Sequence, residues 1–389
     1  MIYLDNSATT KPKKEVVDAI MPYLTDMWHN PSSLYAPSVD IKKKIEESRE
    51  IIANFINADK TEIYFTSGGS DGNSWAIQGF VNECWSQCKT PIVITSKIEH
   101  KSILNCVYNL DADVYFVGVD INGMIDLNNL EDILKGLIYQ EEDYGILVSI
   151  QFANNEIGTV QNIKMISDIV HKYRGIFHTD AVQAFGHIPI NVKELGIDMM
   201  TASGHKINAL KGSGFLYKKD GVKIKPLIYG TQESGLRGGT ENVIGIIGLG
   251  EAVRHINFGT NYNRIEEMCN KRDYFIRMLE NKFGCILNGC YEYRLPNNIN
   301  VTFPQNITGE ALLYMLDMAD IKVSTGSACN SHSINPSHVL KAIGLTDNGA
   351  MRTVRFSLSE DITYKDVDYV IREIDKALKI IELEGIDYN

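Results

Sequence analysis

Apolar runs of strand length alternate with longer amphipathic stretches over the first two thirds of the chain. The runs are EIYFT (62–66), PIVIT (91–95), VYFVGV (114–119), GILVSIQF (145–152), GIFHT (175–179) and IDMMTAS (197–203). Parallel strands covered on both faces read as continuous apolar runs of this kind. Helical patterns such as IKMISDIVHKYR (163–174) lie between them. The alternation predicts an α/β domain.

Beyond about residue 255 the pattern changes. A helical stretch, NRIEEMCNKRDYFIRMLENKF, leads into shorter strand-like runs, NNINVTF and KVST. The chain closes on TYKDVDYVIREIDKALKIIELEG. There Val367, Val370, Ile371, Ile374, Leu378 and Ile381 share one helical stripe behind a Thr363 N-cap. This predicts a large α/β domain followed by a smaller α+β domain. There is no internal repeat and no low-complexity segment.

Composition narrows the function classes. The chain has 389 residues, 44% hydrophobic and 22% charged, which is ordinary for a soluble protein with room for two or more cores. The net charge of -11 lacks the basic footprint of a nucleic-acid binder. MIYLDNSATT has neither a basic n-region nor an apolar h-region, and VIGIIGLGEAV is too short and glycine-rich to span a bilayer. The expectation is a cytoplasmic protein without a membrane partner. The seven cysteines are an odd count, which argues against a disulfide framework. Cys84 and Cys88 share a helical face with Ile77, Val81 and Trp85, so core packing explains them better than a metal. Cys285 and Cys290 lack the second pair a zinc site needs. Cys329 alone falls in a polar, loop-like stretch, STGSACNSHS.

In open parallel sheets ligands bind just beyond the C-terminal ends of the strands. After EIYFT comes SGGSDGNS, and after PIVIT comes SKIEHK with His100. After GILVSIQF comes ANNEIG with Asn155. GIFHT runs into DAVQ with Asp180 and Gln183, and IDMMTAS leads into GHKINALKG with His205 and Lys206. Five strand ends thus deliver polar or ionisable groups to one edge. SGGSDG before a helix can offer backbone N–H groups to a phosphate, yet it fits neither nucleotide fingerprint. A partly desolvated Lys206 can form a Schiff base. Asp180 can hold a pyridinium nitrogen protonated. Phosphate cup, Schiff-base lysine and carboxylate are the three requirements of pyridoxal phosphate.

The motifs that carry these residues, in order, are YLDNSATT, NPSS, TSGGS, EHKSIL, NNEIGT, HTDAVQA, SGHKI, GLRGGTEN, STGSACNS, PSHVLKAIGL and VRFSLSEDIT. With them the chain resembles, over essentially its whole length, the cysteine desulfurases of the nitrogen-fixation and iron–sulfur-cluster type. These belong to the class V aminotransferase group of fold-type I pyridoxal-phosphate enzymes. The resemblance implies a mostly parallel seven-stranded sheet flanked by helices in a large domain, residues 15–255. It implies a smaller α+β domain made of residues 1–14 and 256–389. Lys206 would carry the cofactor, Asp180 would pair with its ring nitrogen, and His100 would stack on the ring and move protons. Asn155 and Gln183 would bond the ring hydroxyl side, and Asn155 would also contact substrate. Gly69, Ser70, Ser203 and His205 would bind the phosphate. Thr240 would reach the phosphate in the other subunit of a homodimer. Arg355 would clamp the carboxylate of L-cysteine, and Cys329 would be the nucleophile, with His100 or His332 helping to form its thiolate. The sulfur would pass to an acceptor such as an iron–sulfur scaffold or a tRNA-thiolation protein. No intrinsic metal is expected, although Cys329 could share an iron–sulfur cluster with a scaffold. The alternative within the same chemistry is a selenocysteine lyase or another cysteine lyase.

Three departures from the family pattern stand out. SGGSDGNS, with Asp71 and Gly72, stands where the family usually has Thr-Glu followed by a polar pair, and its Ser hydroxyl and two-glycine turn are still expected to bind phosphate. Asn208, Ala209 and Leu210 follow the lysine where the family often has an aromatic residue or Gly, then Gly-Pro, which predicts a looser loop or a differently shaped mouth. The chain stops soon after its last helix, so a long scaffold-docking tail is not expected.

Overall fold

All six apolar runs form strands, and a seventh that their pattern did not single out, Gly214–Lys218, joins them. The computed structural model describes residues 1–138, 143–256, 262–304, 307–325 and 336–384. Cys329 and His332 lie outside the described residues. The order across the seven-stranded sheet is Ile63–Thr66, Gly214–Lys218, Met199–Ser203, Ile176–Asp180, Tyr144–Ser149, Thr90–Ser96 and Asp113–Val117. Gly214–Lys218 runs antiparallel to both its neighbours, and every other pairing is parallel. The six strands read from the sequence therefore end at one common edge. Gly214–Lys218 breaks the rule because it returns from that edge directly after the lysine.

Alternate residues of these strands enter two separate cores, which is why the runs look apolar throughout. Ile92, Ile94, Val148, Phe177 and Met200 pack on one face. Val93, Leu147 and Met199 pack on the other, beneath Trp75, Ile77, Phe80 and Ile103. The helix Gly69–Ser86 approaches closely enough that a Cβ at Gly72 would come within 2.6 Å of Thr201 Cγ2. Gly72, one of the departures, is thus a packing requirement of this helix–sheet contact. The Cys84–Cys88 face is corrected in part. Cys84 is buried with Ile77 and Val81, but Trp85 is exposed. The helix ends at Ser86, and Cys88 beyond it is exposed with φ 57°.

A further core gathers the later chain. An antiparallel sheet in the order Ser324–Thr325, Thr353–Ser357, Asn298–Thr302, Ile286–Leu287 packs against the helices Tyr262–Phe283, Gly309–Met318 and Tyr364–Glu384. The last helix buries Val367, Val370, Ile371, Ile374, Leu378 and Ile381 as its stripe requires. Its cap is reciprocal: Asp366 N–H donates to Thr363 Oγ1, and Thr363 N–H donates to Asp366 Oδ2. The KVST run serves two sheets, since Ile321–Lys322 pairs in parallel with the N-terminal strand Ile2–Tyr3. Leu4 lies in this later core. Among the described residues no helix is long and apolar enough to cross a membrane.

Candidate active site

The site is assembled where strands end. Asp180 closes the strand Ile176–Asp180 and is 6% exposed. Its Oδ1 accepts from the Val182 N–H at 2.9 Å and its Oδ2 from Asn73 Nδ2 at 2.7 Å. Lys206 lies in the single turn that follows Met199–Ser203. Its ammonium donates to the carbonyls of Ser7 at 2.5 Å and Ala8 at 2.7 Å. Gln183 Nε2 donates to the same Ser7 carbonyl at 3.0 Å, so Gln183 and Lys206 converge on one oxygen. His100 follows Thr90–Ser96 and caps the helix Lys101–Val107. Partial desolvation of its ring lowers its proton affinity, although the residue as a whole is exposed; Asp180 opposes that, while Lys206, His338 and Lys101 add to it. The structure thus brings together Asp180, His100, Gln183 and Lys206.

The turn that starts the helix Gly69–Ser86 fits a phosphate. Gly68 has φ 146°, where a side chain would be strained, and it offers no side-chain cap. The first-turn N–H groups at a helix end of this kind suit an anion. A Cβ at Gly69 would press within 2.7 Å of Val182 Cγ2, and one at Gly68 would meet the Ser203 hydroxyl at 3.7 Å. Glycine lets this turn sit against Asp180's own loop and against Ser203. His205 Nδ1 pairs with Thr9 Oγ1 at 3.2 Å, and burial with the Lys206 and Lys211 charges pushes its ring down to about 4. Ser70, Ser74, His100, Lys101, Ser102 and Asn105 line a cavity of about 570 Å³. A cleft of about 600 Å³ opens elsewhere, around Tyr3, His187, Asn208 and Asn297, and holds none of Asp180, His100 and Lys206. A buried carboxylate, an amine on a strand-end turn and a glycine cradle at a helix start together fit pyridoxal phosphate.

The departures gain reasons. Asp71 Oδ2 accepts from the Ser67 N–H at 2.7 Å and from Arg237 Nη2 at 2.8 Å. This ties the phosphate turn to the segment that carries Thr240. Thr240 itself is exposed and lines a smaller cavity with Ser67, Ser213 and Arg237. It does not join Ser70 and His100 within this chain. The loop after Lys206 is pinned rather than loose. Asn208 has φ 65°, its N–H donates to Thr10 Oγ1, its Nδ2 to the Lys11 carbonyl, and its carbonyl accepts from Lys13.

Arg355 comes from the later core, in register with Asn300 on one side and Ser324 on the other. It is 7% exposed. Nη2 bonds Asp5 Oδ1 at 2.6 Å and Nη1 bonds the Asn155 carbonyl at 3.0 Å, while Nε has no acceptor among the described residues. Asn155 thus meets Arg355 through its backbone carbonyl.

Several functional neighbours had no clear sequence signal. Asn73 shows only as a polar residue on the buried face of Gly72, Ala76, Ile77 and Phe80. Asp5 and the Ser7 and Ala8 carbonyls reach the site by tertiary folding alone. Glu99 is fully buried next to His100. Its carboxyl takes the Ser96 hydroxyl at 2.6 Å and the Gln151 N–H at 2.9 Å, yet burial, with Asp180 nearby, pushes it up to about 8 from 4.5. Between those values the folded chain keeps a proton that the unfolded chain has lost. Stability therefore falls as pH rises across that window, on the order of 1 kcal/mol per pH unit. Glu99→Gln is expected to remove that slope: thermal melts of the two proteins coincide near about pH 5, and the variant melts higher near about pH 8.

Comparison with known proteins agrees with this geometry. The aminotransferase class-V family matches residues 2–370. The cysteine desulfurase IscS of Dictyoglomus turgidum is 42% identical over 383 residues, covering 97% of this chain and 94% of its own. A solved NifS-like protein superposes with a TM-score of 0.88 at 32% identity, covering 97% of this chain and 99% of its own. A structure described as SspA in complex with cysteine superposes with a TM-score of 0.79 at 34% identity, covering 92% and 99%. The chain belongs to the class-V aminotransferase family of fold-type I pyridoxal-phosphate enzymes, in the branch of the cysteine desulfurases.

Proposed function

We infer that the protein is a pyridoxal-phosphate-dependent cysteine desulfurase, which takes sulfur from L-cysteine and releases L-alanine. The observation that carries this reading is the meeting of Lys206, Asp180 and His100 at one sheet edge, with Arg355 brought to Asn155 from the second core. Lys206 and Asp180 would hold the cofactor, with its phosphate at Gly69, Ser70, Ser203 and His205. When bound, pyridoxal phosphate supplies an electron sink that weakens the Cα–H and then the Cβ–S bond of cysteine.

The chain's own groups do the rest. Asp180 would keep a proton on the cofactor's ring nitrogen. The Lys206 amine moves the Cα proton, and the Ser7 and Ala8 carbonyls set its starting position. His100 would carry protons to and from the reacting groups, with its own proton affinity lowered by its surroundings. Cys329, as thiolate, attacks the substrate sulfur. The S–S bond forms as the Cβ–S bond breaks, carbon keeps the electron pair and takes a proton, and a persulfide stays on Cys329. The chain that carries Cys329 is rooted near the site at both sides. Ser324–Thr325 pairs with the Arg355 strand, while Ser337 bonds Glu156 and His338 Nε2 bonds the Glu99 carbonyl at 2.9 Å.

Arg355 holds the substrate carboxylate as a planar fork, and its existing Asp5 and Asn155 bonds fix the plane of that fork. Arg355→Lys keeps the charge but loses the fork. It is expected to raise KM for cysteine about 10–100-fold, the worth of one charged hydrogen bond, with a smaller change in kcat; steady-state kinetics check this. Thr240 serves the phosphate of a second copy, so the working form is a homodimer. The sulfur goes to a protein acceptor, an iron–sulfur scaffold or a tRNA-thiolation protein. The reading as a whole is tested by adding L-cysteine and a thiol reductant to the loaded enzyme. Alanine and sulfide are expected in equal amounts; pyruvate and ammonia instead would sink it.

A further inference from the structure

A short file of hydrogen bonds joins the carboxylate of Asp180 to the ring of His100. Asn73 Nδ2 lies 2.7 Å from Asp180 Oδ2 and 3.0 Å from Ser102 Oγ. Ser102 Oγ lies 2.8 Å from His100 Nδ1, and the Ser102 backbone N–H reaches the same nitrogen at 3.1 Å. The direction of each bond can be deduced. An amide nitrogen donates and a carboxylate accepts. Turning the Asn73 amide over would set its oxygen against the Asp180 carboxylate. Both Nδ2 hydrogens are therefore engaged, one with Asp180 and one with Ser102. Having accepted from Asn73, Ser102 directs its single O–H at His100 Nδ1. The backbone N–H of Ser102 can only donate there too.

Two donors therefore converge on Nδ1, which must present its lone pair. The one proton of the neutral ring is left to Nε2. Asn73 is 1% exposed, and its own Oδ1 has no partner among the described residues. A buried acceptor without a donor is unfavourable. Its presence marks this amide as held in place for the two bonds its nitrogen makes.

We propose that Asn73 and Ser102 are positioning residues that hold His100 as the Nε2–H tautomer. The proposal deepens the reading above, in which His100 carries protons, and rests on it for its purpose. Asp180 then would act twice, since its charge orients Asn73 and would also pair with the cofactor's ring nitrogen. Asn73 in turn orients the hydroxyl that faces the histidine. A single nitrogen of His100 is then open to proton traffic, and the nitrogen that caps the following helix is closed to it.

The test is a tautomer measurement on the cofactor-loaded protein labelled with 15N-histidine. The ring signals of His100 are assigned by their loss in His100→Gln. In the wild type Nδ1 is expected bare and Nε2 protonated at neutral pH. Ser102→Asp, which sets an acceptor where a donor stood, should place a proton on Nδ1, whereas Ser102→Thr should leave the wild-type pattern. Asn73→Leu frees the hydroxyl to turn but leaves the Ser102 backbone N–H donating to Nδ1, so the Nδ1–H population should rise several-fold while staying the minor form. A wild-type Nδ1 that carries the proton, or a Ser102→Asp protein whose Nδ1 stays bare, overturns the proposal. An Asn73→Leu spectrum identical to wild type removes Asn73 from it. Wild-type turnover of cysteine by His100→Gln would instead overturn the proton-carrying role, a failure seen in the assay and not in the spectrum.

Discussion

Lys206→Ala is expected to lower alanine release from cysteine on the order of 10³-fold or more, because one residue both anchors the cofactor and moves the Cα proton. Lys206 is only partly buried, and its amine meets two backbone carbonyls at the protein's edge. Water can take over those bonds, so the fold should survive the change. Asp180 and the turn at Gly68–Ser70 remain, so the variant should still bind pyridoxal phosphate, but without a covalent link. Borohydride followed by mass spectrometry reads this directly. The wild type should gain the mass of a reduced cofactor on the peptide that contains Lys206, and the variant should gain none anywhere. A variant that still fixes the cofactor under borohydride would place the Schiff base on another lysine.

Cys329→Ser should have a comparable effect through a different step. The hydroxyl is far less nucleophilic than a thiolate at neutral pH, and it cannot take sulfur to form a persulfide. Cofactor absorbance and cysteine binding should be unchanged, since Asp180, Lys206 and Arg355 are untouched. Alanine formation from cysteine should fall about 10³-fold or more, and mass spectrometry should find the added sulfur only on the wild-type residue-329 peptide. Selenocysteine sharpens the result. A desulfurase that depends on Cys329 loses cysteine turnover; a lyase that expels the chalcogen unaided keeps turning over both substrates after the change. Cysteine turnover at the wild-type rate in Cys329→Ser would remove Cys329 as nucleophile.

Much of this was legible in the chain because parallel α/β architecture writes itself in one dimension. Five of the six apolar runs ended where a polar group was needed, so Asp180, Lys206, His100 and the glycine turn could be placed at one edge by reading forward from the strands. Gly214–Lys218 was harder, since the return strand GFLYK is short and follows the lysine loop without a helix between. The support of the site was not legible. Asp5 meets Arg355 across 350 positions, and backbone carbonyls carry no residue signature at all. Asn73 and Ser102 act through the direction of single hydrogen bonds, which depends on where two helices start relative to each other. Glu99 hides for a related reason: whether a glutamate beside a histidine is solvated or sealed depends on how the chain around Ser96 and Gln151 closes over it. The surroundings of Cys329 lie outside the described residues, and its role rests on chemistry and resemblance.

The placement of the first ten residues sets an order of events during synthesis. Leu4 bonds Lys322 and Ser357, and Ser7 and Ala8 hold the Lys206 amine only once that ladder exists. The Ser7 and Ala8 carbonyls must therefore wait for a stretch more than 300 positions later in the chain, whereas the seven strands of the large sheet all lie between Ile63 and Lys218. A nascent chain should reach a stage at which Asp180 and His100 are already arranged, while Lys206 has yet to meet the Ser7 and Ala8 carbonyls and Asp5 has yet to meet Arg355. Such a chain can take up the cofactor before it can grip an amino acid. Domains generally fold in the order they emerge from the ribosome, so cofactor uptake is expected to come before the grip on cysteine.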